Sequence, residues 1–487
     1  MAEYYLPLSF PPLRLAQPQM PRIIQCALAV CVSWPALHAQ QPAASAHRPR
    51  VAVVRRTVDS LAKAFLAAGE APGVSVVVIR GRDTLVSAGY GLADLENGVP
   101  ATPRTMYRIG SITKQFTSAS VMQLVESGQV ELDESIGAYV PSLPARLHLV
   151  TVRQLLNHTS GIPSYTDVGP RWLKRIGEPM TPDTLVAFTT TDPFNFPPGT
   201  NWRYNNTGYV ILGMLLEKVT GKPYAQYLDE RLFKPLGLTQ TTYCDNARII
   251  PHRAQGYAKD GSGWRNAAFI DMSQPFSAGA LCSTALDLAH WNQMLAGGRV
   301  VSAASYREMT TPSGAAAPKH YGFGLVADSL ASHRLIEHGG GIPGFSTINA
   351  WFPDDSLSVT ILPNAESAHP ERLLNSIARV ALGIPLDKPP QRVALSAAEL
   401  ARYSGQYAIQ LPNGSTLQMK IWVDGDHLAA QATGQGPTVL IAYGHEVFGA
   451  DFDPTVRFTF TLSAEHATKF TLAQEGATMN ATRVDQR

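Results

Sequence analysis

Cysteine is scarce, with 4 in 487 residues, and none falls in a Cys-x-x-Cys pair. His-Glu-x-x-His and calcium-loop patterns are missing too, so no metal or other cofactor is expected. Charge of one sign is equally lacking. The formal net charge is +2, only 16% of residues are charged, and Lys and Arg are scattered, which removes the usual ground for a nucleic-acid partner. No apolar stretch reaches membrane-spanning length, so no integral span is expected in the mature chain. No segment repeats at a fixed period.

What is present is an ordinary globular composition, 45% hydrophobic, over a length that suggests two to four domains. The first 45 residues stand apart. Met20-Pro21-Arg22 opens a positive region, Ile23 to Trp34 is apolar and includes Cys26 and Cys31, and Ala36-Leu37-His38-Ala39 offers a cleavage point. This is the layout of a secretory signal peptide, with Met20 as the expected start and a mature chain from Gln40. A retained anchor is the competing reading. An exported, periplasmic or secreted protein is expected. Cys244 and Cys282 then remain; export would permit them to pair, but two buried free thiols are the favoured expectation.

Along the remaining chain, a helical pattern covers Val54 to Ala68. A β-branched run, Gly73 to Ile79, turns at Gly81-Arg82-Asp83 into Thr84 to Gly89 as a hairpin. Ser111 to Ser127 reads as a helix stopped by Gly128, and Val152 to Leu236 is mainly helical. Strand signals return at Leu335 to His338, Thr347 to Phe352 and Leu357 to Leu362, followed by a helix from Glu371 to Leu382. Strands at both ends with helices between them predict an α+β domain, residues 50–383, whose antiparallel sheet joins early and late strands beside a helical region. Residues 384–393, rich in Pro and following Gly383, read as a linker. Beyond it, residues 394–487 carry short alternating strands and turns at Pro412-Asn413-Gly414 and Asp424-Gly425, the texture of a small all-β barrel.

The chemistry starts at Ser111 and Lys114. Residues three apart at a helix start share a face, so the amine can reach the hydroxyl. A serine hydroxyl needs a base, and lysine serves only when burial and the helix N-terminus keep its amine neutral. A bare Ser-x-x-Lys is equally a helix cap followed by a solvated lysine. Tyr204-Asn205-Asn206, between Pro197-Pro198-Gly199-Thr200 and the helical run Tyr209 to Val219, is a second element. Tyr204 would share proton transfer as a phenolate beside the ammonium, and Asn206 would bond Lys114 and substrate; as plain structure, Asn206 is a helix N-cap. The third element is His338-Gly339-Gly340-Gly341, where glycines would let a substrate backbone come close.

Together these resemble the serine β-lactamase and penicillin-binding family, from about Val54 to Leu382. Tyr107 to Phe116 resembles its nucleophile segment, Tyr-x-Asn its second motif, and His-x-Gly stands where the β-lactamases have Lys-Thr-Gly. The segments Leu155 to Pro163 and Ser277 to Leu288 follow the family pattern as scaffold, His158 included. The C-terminal part resembles the lipocalin-like β-domain often appended to these hydrolases, on its strand texture and Tyr403-Ser404-Gly405-Gln406-Tyr407. The resemblance implies an acyl-enzyme on Ser111, with Lys114 and Tyr204 catalytic. It implies Asn206, His338, Gly340 and Gly341 at the substrate and oxyanion side, the last through its N–H with that of Ser111. Gly-x-Ser-x-Gly is missing, which removes the α/β-hydrolase elbow as a competitor. Histidine in place of lysine weakens the case for carboxylate recognition, so a peptidase or esterase acting on D-amino-acid peptides or short-chain esters is expected. The alternatives are a class C-like β-lactamase or D-Ala-D-Ala carboxypeptidase, and a non-catalytic binding or assembly protein on the same fold. The expected partner is a small-molecule or peptide substrate; oligomeric state stays open.

Overall fold

The computed structural model describes residues 49–386, 391–410, 416–433, 436–451, 456–463, 465–474 and 477–484. The signal-peptide segment, residues 387–390 of the 384–393 linker and the Pro412-Asn413-Gly414 turn lie outside the described residues. The chain divides into compact units, Pro42–Leu386 and Asp387–Arg487.

In the first unit, helix α1 (Val51–Ala67) precedes strands β1 (Gly73–Arg80), β2 (Asp83–Asp94) and β3 (Val99–Pro100). Helices α2 (Thr113–Glu126), α3 (Asn206–Thr220) and α4 (Ala285–Ala296) belong to the middle. Strands β4 (Val326–Leu330), β5 (His333–Ile342), β6 (Phe345–Phe352) and β7 (Leu357–Pro363) return before helix α5 (Pro370–Leu382). They make one antiparallel sheet in the order β3-β2-β1-β7-β6-β5-β4, joining early and late strands as expected. The pairing of β1 with β7, from Val74 opposite Pro363 to Arg80 opposite Leu357, is the seam.

Both faces of the sheet are covered, which is why β1 reads as an almost unbroken run of β-branched residues. Val74, Val76 and Val78 join Val54, Val58, Leu374 and Ile377 under α1 and α5. Val77 and Ile79 face the other way, into the core shared with Phe116, Tyr209 and Trp291. A polar seam runs through that second face: Asn292 on α4 donates to Asn349 Oδ1 and Ser358 Oγ, and Trp291 Nε1 donates to Gln115 Oε1 on α2. Buried amides are tolerated there because they bond to one another, and they fix α2 and α4 against the sheet.

Cys244 and Cys282 are joined in a disulfide, Cα–Cα 5.1 Å, correcting the expectation of two free thiols. Thr242–Tyr243 pairs antiparallel with Leu281–Ser283, and Cys244 N–H donates to Ala280 O, so the two cysteines become neighbours across one ladder. That register lies 38 residues apart in sequence and leaves no local signal.

The second unit is a closed antiparallel barrel of eight strands: β8 (Gly405–Gln410), β9 (Thr416–Asp424), β10 (His427–Ala432), β11 (Thr438–Ala442), β12 (Val447–Ala450), β13 (Arg457–Ser463), β14 (His466–Gln474) and β15 (Ala477–Arg483). Pairing of β8 with β15, Tyr407 opposite Arg483, closes it. Closure removes the edges that short strands would otherwise expose.

Candidate active site

The segment leading to Ser111 begins as a strand, Tyr107–Arg108, held against Leu281–Ser283. It turns through a 3₁₀ segment, Gly110–Ile112, into α2. Ser111 therefore sits in a 3₁₀ turn rather than in the first turn of an α-helix, and α2 starts two residues later than the sequence suggests. The difference favours the chemistry: residues i and i+3 eclipse in a 3₁₀ turn. Lys114 Nζ lies 3.1 Å from Ser111 Oγ.

Lys114 is fully buried. Its Nζ also donates to Asn206 Oδ1 and Ala278 O, both at 2.8 Å. Burial pushes its pKa well down, and no carboxylate offsets the effect. A neutral amine has two N–H bonds and one lone pair. With Asn206 and Ala278 taking the two donors, the lone pair is left for the Ser111 hydroxyl proton.

The Tyr204 loop is built from a division of labour between neighbours. Asn205, not Asn206, is the N-cap of α3: its side chain accepts from Gly208 N–H at 2.6 Å. Asn206 is thereby freed from capping. Its Oδ1 meets Lys114, its Nδ2 donates to Thr166 Oγ1 at 3.1 Å, and its backbone N–H donates to Ser164 Oγ at 3.1 Å. His158, held at φ 63°, braces the loop: Asn205 N–H donates to its Nδ1 at 3.2 Å and Arg203 N–H to its carbonyl at 3.1 Å. Burial pushes its pKa well down, with the charge of Lys114 acting in the same sense, so it stays neutral.

Tyr204 packs on the His158 ring at 4.4 Å between centroids, and Lys114 Nζ stands 4.7 Å from the centre of its ring face. Burial raises the phenol's pKa, and the Ser111 side chain offsets only part of that rise. The resting form is a protonated phenol, which corrects the expected phenolate and suits a proton donor. Its Oη is buried, and the Ser111 side chain is the polar group that acts on it.

The third element comes from the far end of the chain. Strand β4 pairs with β5 only as far as Glu337, so residues 338–342 run on unpaired on that side and pack against the 3₁₀ turn of Ser111. The glycines there answer to the protein's own backbone before any substrate. A Cβ on Gly340 would stand 2.0 Å from Ile109 O, and one on Gly110 would meet Gly341 N at 3.0 Å. Thr347 Oγ1 ties the junction, bonding Ile109 O and Gly340 O. A Cβ on Gly341 would meet nothing within 4 Å.

His338 is buried and committed on both ring nitrogens. Its Nδ1 lies 2.6 Å from Gly339 O and its Nε2 2.9 Å from Tyr321 Oη. A carbonyl only accepts, so Nδ1 carries the proton and Nε2 accepts from the Tyr321 hydroxyl. Burial pushes the His338 pKa down to about 4, with Lys114 contributing. The ring is a neutral, fixed group rather than a cation facing a carboxylate.

Tyr321 escaped sequence reasoning. Its signal was the alternation Tyr321-Gly322-Phe323-Gly324, which marks a loop pressed close to another backbone. A Cβ on Gly324 would stand 2.6 Å from Lys114 O, so that loop is seated on α2. Ala278 was read only as scaffold, and its backbone oxygen is one of the three groups on Lys114. Among the described residues no cluster of His, Cys, Asp and Glu could hold a metal, and no helix is long and apolar enough to cross a membrane.

Three comparisons bear on this geometry. A family model described as beta-lactamase matches residues 58–383. Penicillin-binding protein 4* of Bacillus subtilis is 26% identical over 437 residues, covering 84% of this chain and 94% of its own. Among solved structures, a D-stereospecific amidohydrolase from Streptomyces sp. is 31% identical with a TM-score of 0.58, covering 67% of this chain and 98% of its own. The octameric penicillin-binding protein homologue from Pyrococcus abyssi is 25% identical with a TM-score of 0.63, covering 87% of this chain and 99% of its own.

Proposed function

The chain belongs to the beta-lactamase family, and on that footing we propose that it is a serine hydrolase forming an acyl-enzyme on Ser111, with amides or esters lacking a free carboxylate beside the scissile bond as substrates. The observation that carries the reading is the buried Lys114 amine, 3.1 Å from Ser111 Oγ with no carboxylate to hold it charged. Lys114 takes the Ser111 proton as Oγ bonds to the substrate carbonyl carbon. The backbone N–H groups of Ser111 and Gly341 hold the oxyanion. The bond to the leaving nitrogen or oxygen then breaks, and the leaving group takes a proton from Tyr204 Oη, which is replenished from the Lys114 ammonium. Water, deprotonated by Lys114, then bonds to the acyl carbon, the bond from that carbon to Ser111 Oγ breaks, and Oγ takes its proton back from the Lys114 ammonium. Asn206 orients Lys114 and offers its amide edge to substrate.

The neutral His338 supports the absence of a carboxylate in the substrate, and the Streptomyces relative, a D-stereospecific amidohydrolase, supports amides with D stereochemistry. A D-Ala-D-Ala carboxypeptidase or β-lactamase is the second reading, favoured by the penicillin-binding relatives. A panel of D-phenylalanine amide, p-nitrophenyl butyrate and nitrocefin separates the two. The first two should turn over at least tenfold faster in kcat/KM, a gap of about 1.4 kcal/mol. Ser111→Ala should lose about 10⁴-fold or more and stop fluorophosphonate labelling; labelling that persists on another residue would overturn the assignment. Export is part of the proposal and is supported by the Cys244–Cys282 disulfide, a bond rare in reducing compartments.

A further inference from the structure

We propose that the face of the short ladder carrying the Cys244–Cys282 disulfide is an anion site, where Arg108, Arg253 and Arg248 take a phosphate group. The ladder gathers two of them on one rung. Arg108 lies opposite Cys282, and Cys282 lies opposite Thr242, so these three side chains leave the same face. Arg248 reaches back to that rung, its Nη1 donating to Thr242 Oγ1 at 2.8 Å. Neighbouring strands stand about 4.8 Å apart, so Arg108 and Thr242 are about 10 Å apart across Cys282, a gap that long side chains close. Arg253 comes from the other side. It bridges Met106 in parallel, with Met106 N–H donating to His252 O and Ala254 N–H to Met106 O, both at 2.9 Å. Met106 and Arg108, two apart on one extended segment, face the same way, so Arg253 stands beside Arg108.

These arginines lack a negative partner. Among the described residues Arg108 and Arg253 make no hydrogen bond or ion pair, and Arg248 has its one bond to a hydroxyl. Elsewhere Arg171, Arg203 and Arg334 each meet an aspartate. Carboxylates on the neighbouring segments serve their own turns: Asp245 accepts from Ala247 N–H, and Asp94 from Asn97 N–H. Arg108 is half-buried, where a lone guanidinium gives up hydration with no opposite charge to repay it. Burial pushes its pKa down to about 10, and the charge of Arg253 acts in the same sense. A bound anion offsets both effects. Guanidinium forks match oxyanions, and a phosphate has more acceptor oxygens and more charge than a carboxylate, enough for several forks at once. Arg108 makes the floor of the site, and the exposed Arg253 and Arg248 make its rim. The hydrolytic reading uses none of the three, so the two stand or fall separately.

The test uses the full chain, disulfide intact, with isotope-labelled arginine so that each Nε–H is read by NMR. It is titrated near neutral pH and at constant ionic strength with inorganic phosphate, glycerol 3-phosphate and acetate. Saturable shifts at Arg108 and Arg253 are expected with the phosphates, with acetate about tenfold weaker or more. Saturation by the ester alone would make an organic phosphate the ligand, and by the free ion alone inorganic phosphate; either outcome keeps the site. Arg253→Gln, a change at an exposed side chain, should weaken phosphate about tenfold, and Arg108→Gln at least as much. Each variant also removes, and so assigns, its own signal. If Arg108→Gln does not fold, the wild-type titration and Arg253→Gln decide. Shifts that stay linear with concentration, or that acetate produces equally well, would mean screening of exposed charge and overturn the site.

Discussion

In the proposed mechanism Lys114 works only in its uncharged form, and its surroundings set the sign of the pH dependence. Burial disfavours the ammonium, so the folded pKa lies well below 10.5 and the reactive amine accumulates as pH rises through that lowered value. kcat/KM on a neutral ester should climb with pH and level off well short of 10.5. Lys114→Arg, charged throughout, should lose about 10³-fold. A profile still rising through pH 10.5 would mean an unperturbed lysine. His338 adds no limb near 6.5, since burial takes its titration to about 4. The Tyr321 hydroxyl, donating to Nε2, helps to hold it neutral. Tyr321→Phe removes that donor and leaves Nε2 able to take a proton. The ratio of nitrocefin to butyrate-ester turnover should then rise about fivefold at mildly acid pH, the worth of one neutral hydrogen bond of about 1 kcal/mol. A residue serving packing alone would lower both rates and leave the ratio unmoved.

Elements decide which glycines matter. Gly340→Ala drives a methyl into Ile109 O and should cost about 1–3 kcal/mol in urea unfolding while displacing β5 from the nucleophile turn. Gly341→Ala meets open space and should stay within about 0.5 kcal/mol of the parent. Equal costs at the two positions would contradict the packing described. Ser111 and Lys114 were legible in sequence because their contact spans one turn, and β1 and β7 because buried strands carry continuous apolar runs. The junction of residues 338–342 with Gly110 was not legible, nor was the Cys244–Cys282 bond: both are products of register between distant segments. The exchange of roles between Asn205 and Asn206 was hidden for a different reason. Either residue caps well, and only the start of α3 decides between them. The disulfide anchors the ladder whose next strand leads into Ser111, since Ile109 N–H donates to Leu281 O. By loop closure over 38 residues, replacing both cysteines with serine should lower stability by up to about 4 kcal/mol.

At the scale of the whole molecule, the chain has separate cores rather than one. The first unit buries both faces of its sheet, and the barrel closes around an aromatic cluster of its own. Cooperative unfolding follows shared burial, so units with separate cores should melt separately. Calorimetry of the full chain should resolve two transitions. A covalent fluorophosphonate on Ser111 should shift the transition of the unit that contains it and leave the barrel's unchanged, because a ligand stabilises only the unit whose native state holds it. The transition that moves is then that of the unit holding Ser111, and the one that stays is the barrel's. If the label moved one common transition instead, the expectation of separate melting would fail.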